Sequence, residues 1–364
     1  MIIQKMLKNG EVTLKGLNAL LGMTYLQYPE GYVTITYDQF MTPSASRVAA
    51  ECRGVIFDKD YNIVCRPFDR FFNYGEPSCT IDGIDFTKAK VMEKLDGSLI
   101  KVWFDVNALQ WRVATSGRIY GESDVADHGF TFKDLVYRAI GVTDDNEFNK
   151  RCDTFDINTT YIYEVTSREN RIVTRYDKPE LWYLAARKNK SGTYIEFDGT
   201  VIGARLPKQY EIDTIEKCLK VANEFENYEE GFVIYINGIP SVKVKSMKYL
   251  AGHRIKGEGL SIGRICNLVA DNEIDEYLTY FPEDTDRIMP YFNGLQIFCS
   301  QIENDFAKVC HITDHIEFAA AVKDNKYQAL LFTMLKHGTD GRGAFDRLLN
   351  PSKKRILKEH MVDS

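Results

Sequence analysis

Val91-Met92-Glu93-Lys94-Leu95-Asp96-Gly97-Ser98-Leu99-Ile100-Lys101-Val102-Trp103-Phe104 decides how this chain is to be read. Two apolar, β-type runs flank an Asp-Gly dipeptide, which is a turn signal between strands. A lysine at the end of the first run is presented as an amine at the edge of a pocket. The bland alternative is a surface hairpin turn, because four-residue matches recur by chance. The rest of the chain decides between the two.

A lysine nucleophile has to act as the neutral amine. With an ordinary pKa near 10.4, only about one molecule in a thousand is neutral near pH 7.4. Neighbouring cations favour the neutral form, and a bound metal does so more strongly. Val242-Lys243-Val244-Lys245-Ser246 supplies such cations. Period-two alternation puts Lys243 and Lys245 on one face of a strand. They read either as a solvated edge strand or as a phosphate clamp whose ligand screens their mutual repulsion. Glu229-Glu230-Gly231 opens the apolar strand upstream, and a carboxylate there is an oxygen ligand suited to Mg2+. Glu164, among apolar and aromatic neighbours near the end of another strand, is a third inward-pointing candidate. A buried carboxylate needs a partner, either a sugar hydroxyl or a structural arginine such as Arg168 or Arg171.

Outward from this centre the chain divides in texture. Between Val33 and about Val244, short aromatic strand-like runs alternate with turn signals. One clear helix interrupts them, carried by Ile212, Ile215, Leu219, Ala222 and Phe225 with Glu211 and Asp213 at its start. After about residue 252 helical periods take over. Phe292, Leu295, Phe298, Ile302, Phe306 and Val309 form a stripe behind Pro290, and residues 329–335 form another. The expectation is an α+β fold: a mainly antiparallel, sheet-built domain over residues 1–252 and an all-helical domain over 253–364. Gly252 to Gly259 reads as the linker.

Composition sets the limits. The 364 residues, 44% hydrophobic and 27% charged, describe a globular chain of two domains. A net charge of −6 does not announce a nucleic-acid partner, which would need a local basic surface. Residues 336–358 supply one, with Lys336, Arg342, Arg347, Lys353, Lys354, Arg355 and Lys358 against Asp340 and Asp346. No apolar run has the length of a membrane span, and Met1-Ile2-Ile3-Gln4-Lys5 lacks a signal-peptide core. Eight cysteines without a Cys-x-x-Cys pair read as reduced thiols in a cytosol-like compartment.

The order lysine motif, strand carboxylate, Glu-Gly strand and Lys-x-Lys strand resembles motifs I, III, IV and V of the covalent nucleotidyltransferases. Three further segments narrow the resemblance: Glu51-Cys52-Arg53-Gly54, Phe68-Asp69-Arg70-Phe71-Phe72-Asn73 and Asn170-Arg171-Ile172-Val173. With them the chain, from about residue 50 to 250, resembles the T-even phage type of tRNA-repair RNA ligase. The resemblance implies a nucleotidyltransferase (adenylation) domain in which Lys94 is adenylylated by ATP. Glu164 would bind the ribose, Glu230 would serve Mg2+ (with Mn2+ as a substitute), and Lys243 and Lys245 would contact the α-phosphate. Arg53 and Arg70 would contact phosphates, and Tyr249 would assist the nucleotide pocket. The partners implied are RNA, as single-stranded ends or a nicked tRNA anticodon loop, and ATP. A monomer in the host cytoplasm is expected, with Lys353, Lys354 and Arg355 as RNA contacts. A DNA ligase or capping enzyme is the enzymatic alternative, but those carry a downstream β-barrel module where this chain reads helical. A non-catalytic RNA-binding relative is the other, and the intact charged set weighs against it.

Two departures from that family stand out: Arg70 where it has lysine, and Ser116 in Thr115-Ser116-Gly117-Arg118 where it has another. Arginine grips phosphate as a planar fork rather than a point charge, and Arg118 is the nearest substitute for the second lysine. Three other clusters read as ordinary structure: the Gly257 to Gly263 glycines as linker, His311 with His315 and Asp314 as helix surface, and Asp271, Glu273, Asp275 and Glu276 as a solvated acidic face.

Overall fold

The computed structural model describes residues 1–362 apart from 39–40, 44–45, 80–83, 126–127, 227, 258–259 and 272, and at 276 the backbone alone. Among the described residues fourteen strands are formed, in chain order β1 Thr24–Gln27, β2 Val33–Thr36, β3 Arg53–Phe57, β4 Ile63–Cys65, β5 Phe72–Asn73, β6 Ala89–Lys94, β7 Ser98–Asp105, β8 Gln110–Ala114, β9 Thr159–Thr166, β10 Glu180–Lys188, β11 Tyr194–Ile195, β12 Gln209–Tyr210, β13 Gly231–Ile236 and β14 Ile239–Lys245. They make three sheets, ordered β1-β2-β3-β4, β11-β10-β9-β7-β8 and β12-β6-β13-β14-β5. Every named pairing is antiparallel except β14 with β5. The chain is therefore α+β: helices Ile2–Lys8 and Leu14–Leu21 precede β1, others lie among the strands, and only helices follow β14.

Alternation along the strands sets what faces the site. On β9, Tyr161, Tyr163 and Val165 enter a core with Ile100 and Val102 of β7 and the helix Phe132–Ile140. The intervening Ile162 and Glu164 then point to the opposite face, where Ile162 packs with Phe68 and Ala185. On β13 and β14, Phe232, Ile234, Val242 and Val244 pack with Cys218 and Ala222 of helix Ile215–Glu224. Lys243 and Lys245 consequently leave that strand on its other face.

Two compact units divide the chain, Met1–Ala251 and Gly252–Ser364. The division falls within one helix, Met247–Lys256. This corrects the linker expected from Gly252: residues to 256 are helical, and Glu258 and Gly259 lie outside the described residues. The second unit is helical wherever it is ordered into elements, and its core joins Tyr277, Phe281, Phe298, Phe318, Phe345 and Leu357 with their aliphatic neighbours.

Three helix readings also need correction. The helix expected behind Pro290 begins at Thr285 and carries the proline inside it. The helix expected from Ile212 begins at Ile215, where the Thr214 hydroxyl accepts from Lys217 N and caps it. It is also not the only helix among the strands, since Phe132–Ile140 and Asp145–Arg151 interrupt them as well. The first of these carries a capping box, Thr131 with Asp134, and ends on Gly141 in the left-handed region.

Candidate active site

Lys94 is the last residue of β6, and the turn behind it is pinned by the motif's aspartate. Asp96 is buried, and its Oδ2 accepts from the backbone N–H groups of Val173 (2.7 Å) and Thr174 (2.8 Å). Its Oδ1 accepts from the Tyr249 hydroxyl at 2.7 Å, while its own N–H donates to the Tyr176 hydroxyl at 3.1 Å. Both oxygens of this buried carboxylate are thus engaged, which is what makes such a group tolerable. At Gly97 a Cβ would stand 2.3 Å from the Val165 carbonyl, so the motif glycine lets the turn lie against β9. Ser98 Oγ and Asn170 then tie that turn to the Asn-Arg-Ile-Val segment at 3.2 Å.

β6 pairs with β13 so that Lys94 stands opposite Gly231, and β13 pairs with β14 so that Gly231 stands opposite Lys245. Gly231 has φ +137°, and a Cβ there would meet the Val244 carbonyl at 1.9 Å, which explains glycine in the Glu-Gly pair. This register delivers Glu230 between two lysines. Its Oε2 lies 2.6 Å from Lys94 Nζ and its Oε1 3.0 Å from Lys245 Nζ. Burial works to raise the Glu230 carboxyl, but the two ammonium groups outweigh it and hold it below the usual carboxylate range.

Glu164 faces the same centre. Burial pushes its carboxyl up to about 7, opposed by Lys94 and Arg53 and reinforced by Glu230. The charges that act on it most are those of the site, Lys94, Glu230, Arg53 and Asp96; the Arg171 Nε donates to the Val173 carbonyl. Lys243 is pushed down to about 7, by burial first and then by Arg53, Lys94 and Lys245. Its Nζ lies 4.7 Å from the centre of the Phe71 ring, which Arg53 also overlies at 5.6 Å. Arg70 sits over Tyr37 (4.6 Å) and Phe72 (5.1 Å), and its Nη1 is buried without a partner.

Among the described residues, neither Arg53, Arg70 nor Lys243 ion-pairs with a carboxylate. Cations gathered without counter-ions are a binding site for a polyanion, since their repulsion is relieved only when one arrives. Lys94, Glu164, Glu230, Lys243, Lys245, Arg53 and Tyr249 are thus brought to one centre. Arg70 lies beside it on the segment that carries β5.

Other expectations are not gathered there. Arg118 is exposed, faces Glu122 at 4.0 Å and donates to the Gly117 carbonyl, so it takes no place among these cations. The Ser116 carbonyl packs beneath Gly54 instead. In the helical unit Lys353 is only 8% exposed, with its ammonium 5.8 Å from the Phe345 ring, which withdraws it from the expected RNA-contacting trio. Lys354 is half-buried and Arg355 exposed. His311 lies in a turn and His315 opens a helix, both exposed, and no group of three or more metal-ligating side chains occurs among the described residues. Asp96, Tyr176 and Asn170 were missed as site residues. The aspartate stood in the quoted motif and Asn170 in the quoted Asn-Arg-Ile-Val segment, but that Asp96 meets Val173, Thr174 and Tyr176 about 80 positions on, and Tyr249 153 positions on, is written nowhere locally.

Comparisons with known proteins give the family. A family model described as RNA ligase, of the T4 type, matches residues 51–250. The chain belongs to this family of T4-type RNA ligases. A baculovirus protein of Autographa californica nuclear polyhedrosis virus, provisionally named a bifunctional polynucleotide kinase/RNA ligase, is 32% identical over 98% of this chain and 53% of its own length. The chain thus spans about half (53%) of that relative. The RNA ligase of Rhodothermus phage RM378 is 23% identical over 70% of this chain and 71% of its own. An archaeal ATP-dependent RNA ligase structure covers 96% of this chain and 75% of its own at 13% identity, with a TM-score of 0.43.

Proposed function

We propose that this protein is an ATP-dependent RNA ligase joining a 5′-phosphate to a 3′-hydroxyl through a lysyl-AMP intermediate. The observation that carries the reading is Lys94 at the end of β6, in contact with Glu230 and near Arg53 and Lys243, which ion-pair with no carboxylate among the described residues. Lys94 Nζ, once deprotonated, attacks the α-phosphorus of ATP. An N–P bond forms, the bond to the bridging oxygen breaks, and pyrophosphate leaves. An oxygen of the RNA 5′-phosphate then attacks the same phosphorus, freeing Lys94 and giving a 5′–5′ anhydride. A 3′-hydroxyl finally attacks the RNA phosphorus, loses its proton and releases AMP. Little covalent work is left to the protein beyond Lys94, so positioning and charge stabilisation carry catalysis.

The residues divide that labour by position. Lys243, Lys245 and Arg53 clamp the transferring phosphoryl group, and Arg70 takes a terminal phosphate. Glu164, its carboxyl raised toward neutrality, offers an acceptor and, when protonated, a donor to a ribose hydroxyl. Mg2+ is commonly held by one or two carboxylates together with substrate phosphates. Glu230 fits that mode and no all-protein cage, because its two oxygens are already engaged by lysines. When bound there, the ion would neutralise charge developing on the phosphates. Residues 1–252 would perform the chemistry, and residues 253–364 would select RNA, with a nicked tRNA loop as the substrate in repair. No helix among the described residues is long and apolar enough to cross a membrane.

The test is incubation with ATP labelled at the α-phosphate, and separately with GTP, followed by denaturing electrophoresis. An acid-labile, ATP-dependent adduct is expected in the wild type and absent from Lys94→Ala and Lys94→Arg. Both variants should still seal RNA already bearing a 5′-adenylate, because the last step needs no amine. Undiminished labelling of Lys94→Ala would sink the assignment.

A further inference from the structure

Arg66 lies between β4 and β5, in the same Arg66–Asn73 segment as Arg70, and its guanidinium makes no hydrogen bond among the described residues. It is only 9% exposed, and its Nε is buried without a partner. An arginine carries five N–H donors and a permanent charge. To leave the buried Nε–H among them empty is costly, and natural proteins rarely do so without a reason.

The surroundings hold the guanidinium in place without satisfying it. Its backbone N–H is anchored on the Thr160 hydroxyl at 2.7 Å. Its flat group lies on Gly192, where a Cβ would come within 2.3 Å of Nη1. Beside it stands Arg187, and the contrast is instructive. Arg187 is closed off by Asp69 (2.6 and 3.0 Å), by the Pro67 carbonyl at 2.5 Å and by the Gly192 carbonyl at 2.9 Å. Asp69 makes its direct contact with Arg187, and no carboxylate of the described residues ion-pairs with Arg66, on which Asp69 and Glu51 act only from a distance. Burial, and then Arg187, press its pKa downward.

The position relative to Lys94 follows from Tyr194. Its ring stacks on Phe68 at 6.1 Å, lies under Arg187 at 4.9 Å, and feels the charges of Arg187, Arg66 and Arg53 together. Phe68 in turn meets Phe71, the ring beneath Lys243 and Arg53. Positive charge therefore continues from Lys94 past Lys243 and Arg53 to Arg66.

We propose that Arg66 is an anion subsite, a pre-set guanidinium that receives a phosphate group bound beyond the Lys94 centre. The identity of that phosphate rests on the RNA-ligase reading: it is either the pyrophosphate portion of ATP or the 5′-phosphate of RNA. The anion chemistry itself does not depend on that reading.

Kinetics separates the two sources. In Arg66→Met, which keeps the apolar stem, one of two half-saturation constants should rise about tenfold, the loss expected for a charge-assisted contact. A rise for ATP in Lys94 labelling identifies the nucleotide. A rise for 5′-phosphorylated RNA, in AMP transfer from isolated lysyl-AMP enzyme without free ATP, identifies the RNA. Arg66→Lys should recover part of the loss, which a purely structural arginine would not predict. Both constants within twofold of wild type would overturn the proposal.

A second measurement needs neither turnover nor a folded methionine variant. In wild-type protein, the Arg66 Nε–H resonance should move on titration with sodium pyrophosphate or with a 5′-phosphorylated trinucleotide. The resonance is assigned by its loss in Arg66→Lys. Movement with either anion supports the subsite, and no movement with both overturns it. If wild type forms no AMP adduct, the ligase reading falls while this titration still decides Arg66.

Discussion

Lys94 Nζ and the Glu230 carboxylate stand 2.6 Å apart across the β6–β13 pairing, although 136 positions separate them in the chain. The same carboxylate holds Lys245 at 3.0 Å, so one buried negative charge keeps two ammonium groups together. Glu230→Gln preserves the shape and leaves the lysines uncompensated. Breaking a buried ion pair this way costs about 3 kcal/mol of stability. Loss of the charge that organises the phosphoryl clamp lowers adenylylation by about 100-fold. Thermal melting and rates of AMP labelling check both figures, and wild-type labelling would return Glu230 to a purely structural role.

The Asp96 anchor predicts an ordered series. Asp96→Ala strands two backbone N–H groups and the Tyr249 hydroxyl, and should cost about 3 kcal/mol. Asp96→Asn keeps one oxygen for the Val173 and Thr174 amides, and Tyr249→Phe removes a single bond, so each should cost about 1 kcal/mol. Urea unfolding gives the three values. Equal losses for Ala and Asn would show that the carboxylate charge, rather than the amide contacts, secures the turn.

Glu164 should leave a signature in stability against pH. Its carboxyl is raised from 4.5 to about 7 in the folded chain, so there the folded state keeps a proton that the unfolded state has lost. Stability from this group is complete below pH 4.5 and drains away as the pH rises through 7. The drop amounts to about 3 kcal/mol at most. Glu164→Gln should remove it, so the variant gains on the wild type between pH 5 and 8. Parallel stability curves for the two proteins would contradict a raised, half-buried Glu164 carboxyl.

Lys243 titrates in the opposite sense. Its pKa falls from 10.5 to about 7, so near pH 8 most of the free protein carries a neutral amine there. Polyphosphate reverses the repulsion from Arg53, Lys94 and Lys245, and ATP binding at pH 8 should then take up close to about one proton. Calorimetry in buffers of different ionisation heat measures that uptake. Lys243→Met should abolish the buffer dependence, and its persistence would place the proton elsewhere.

In the helical unit, Lys354→Glu with Arg355→Glu should leave Lys94 labelling intact. Sealing of a nicked tRNA stem-loop should weaken by about tenfold and become less salt-sensitive, as lost phosphate contacts require. A short unstructured RNA should suffer less. Lys353→Glu belongs in a separate variant, because its near-complete burial makes unfolding the expected result. Equal losses on both RNAs would argue against a substrate-selecting surface.

Much of the centre was legible because its residues are marked locally. Lys94 sits before a turn dipeptide, Lys243 and Lys245 obey strand alternation, and Glu230 precedes a glycine that only a tight β13–β14 approach explains. Strand and helix texture divided the chain for the same reason, since periods of 2 and 3.6 are written in neighbouring residues. The helix Phe132–Ile140 was legible too, in Thr131, Asp134 and Gly141, although the aromatic runs around it drew the reading toward strands. What tertiary structure alone decided are partnerships across the chain. Glu230 pairs with Lys94, Asp96 meets Val173, Thr174 and Tyr249, and Lys353 turns into a core that its charge would not announce. Whether a charge is paired depends on which distant strand lies beside it. Asp69 ion-pairs with Arg187, while Arg66 has no such pair among the described residues, a difference between two arginines that comes from their places in the fold.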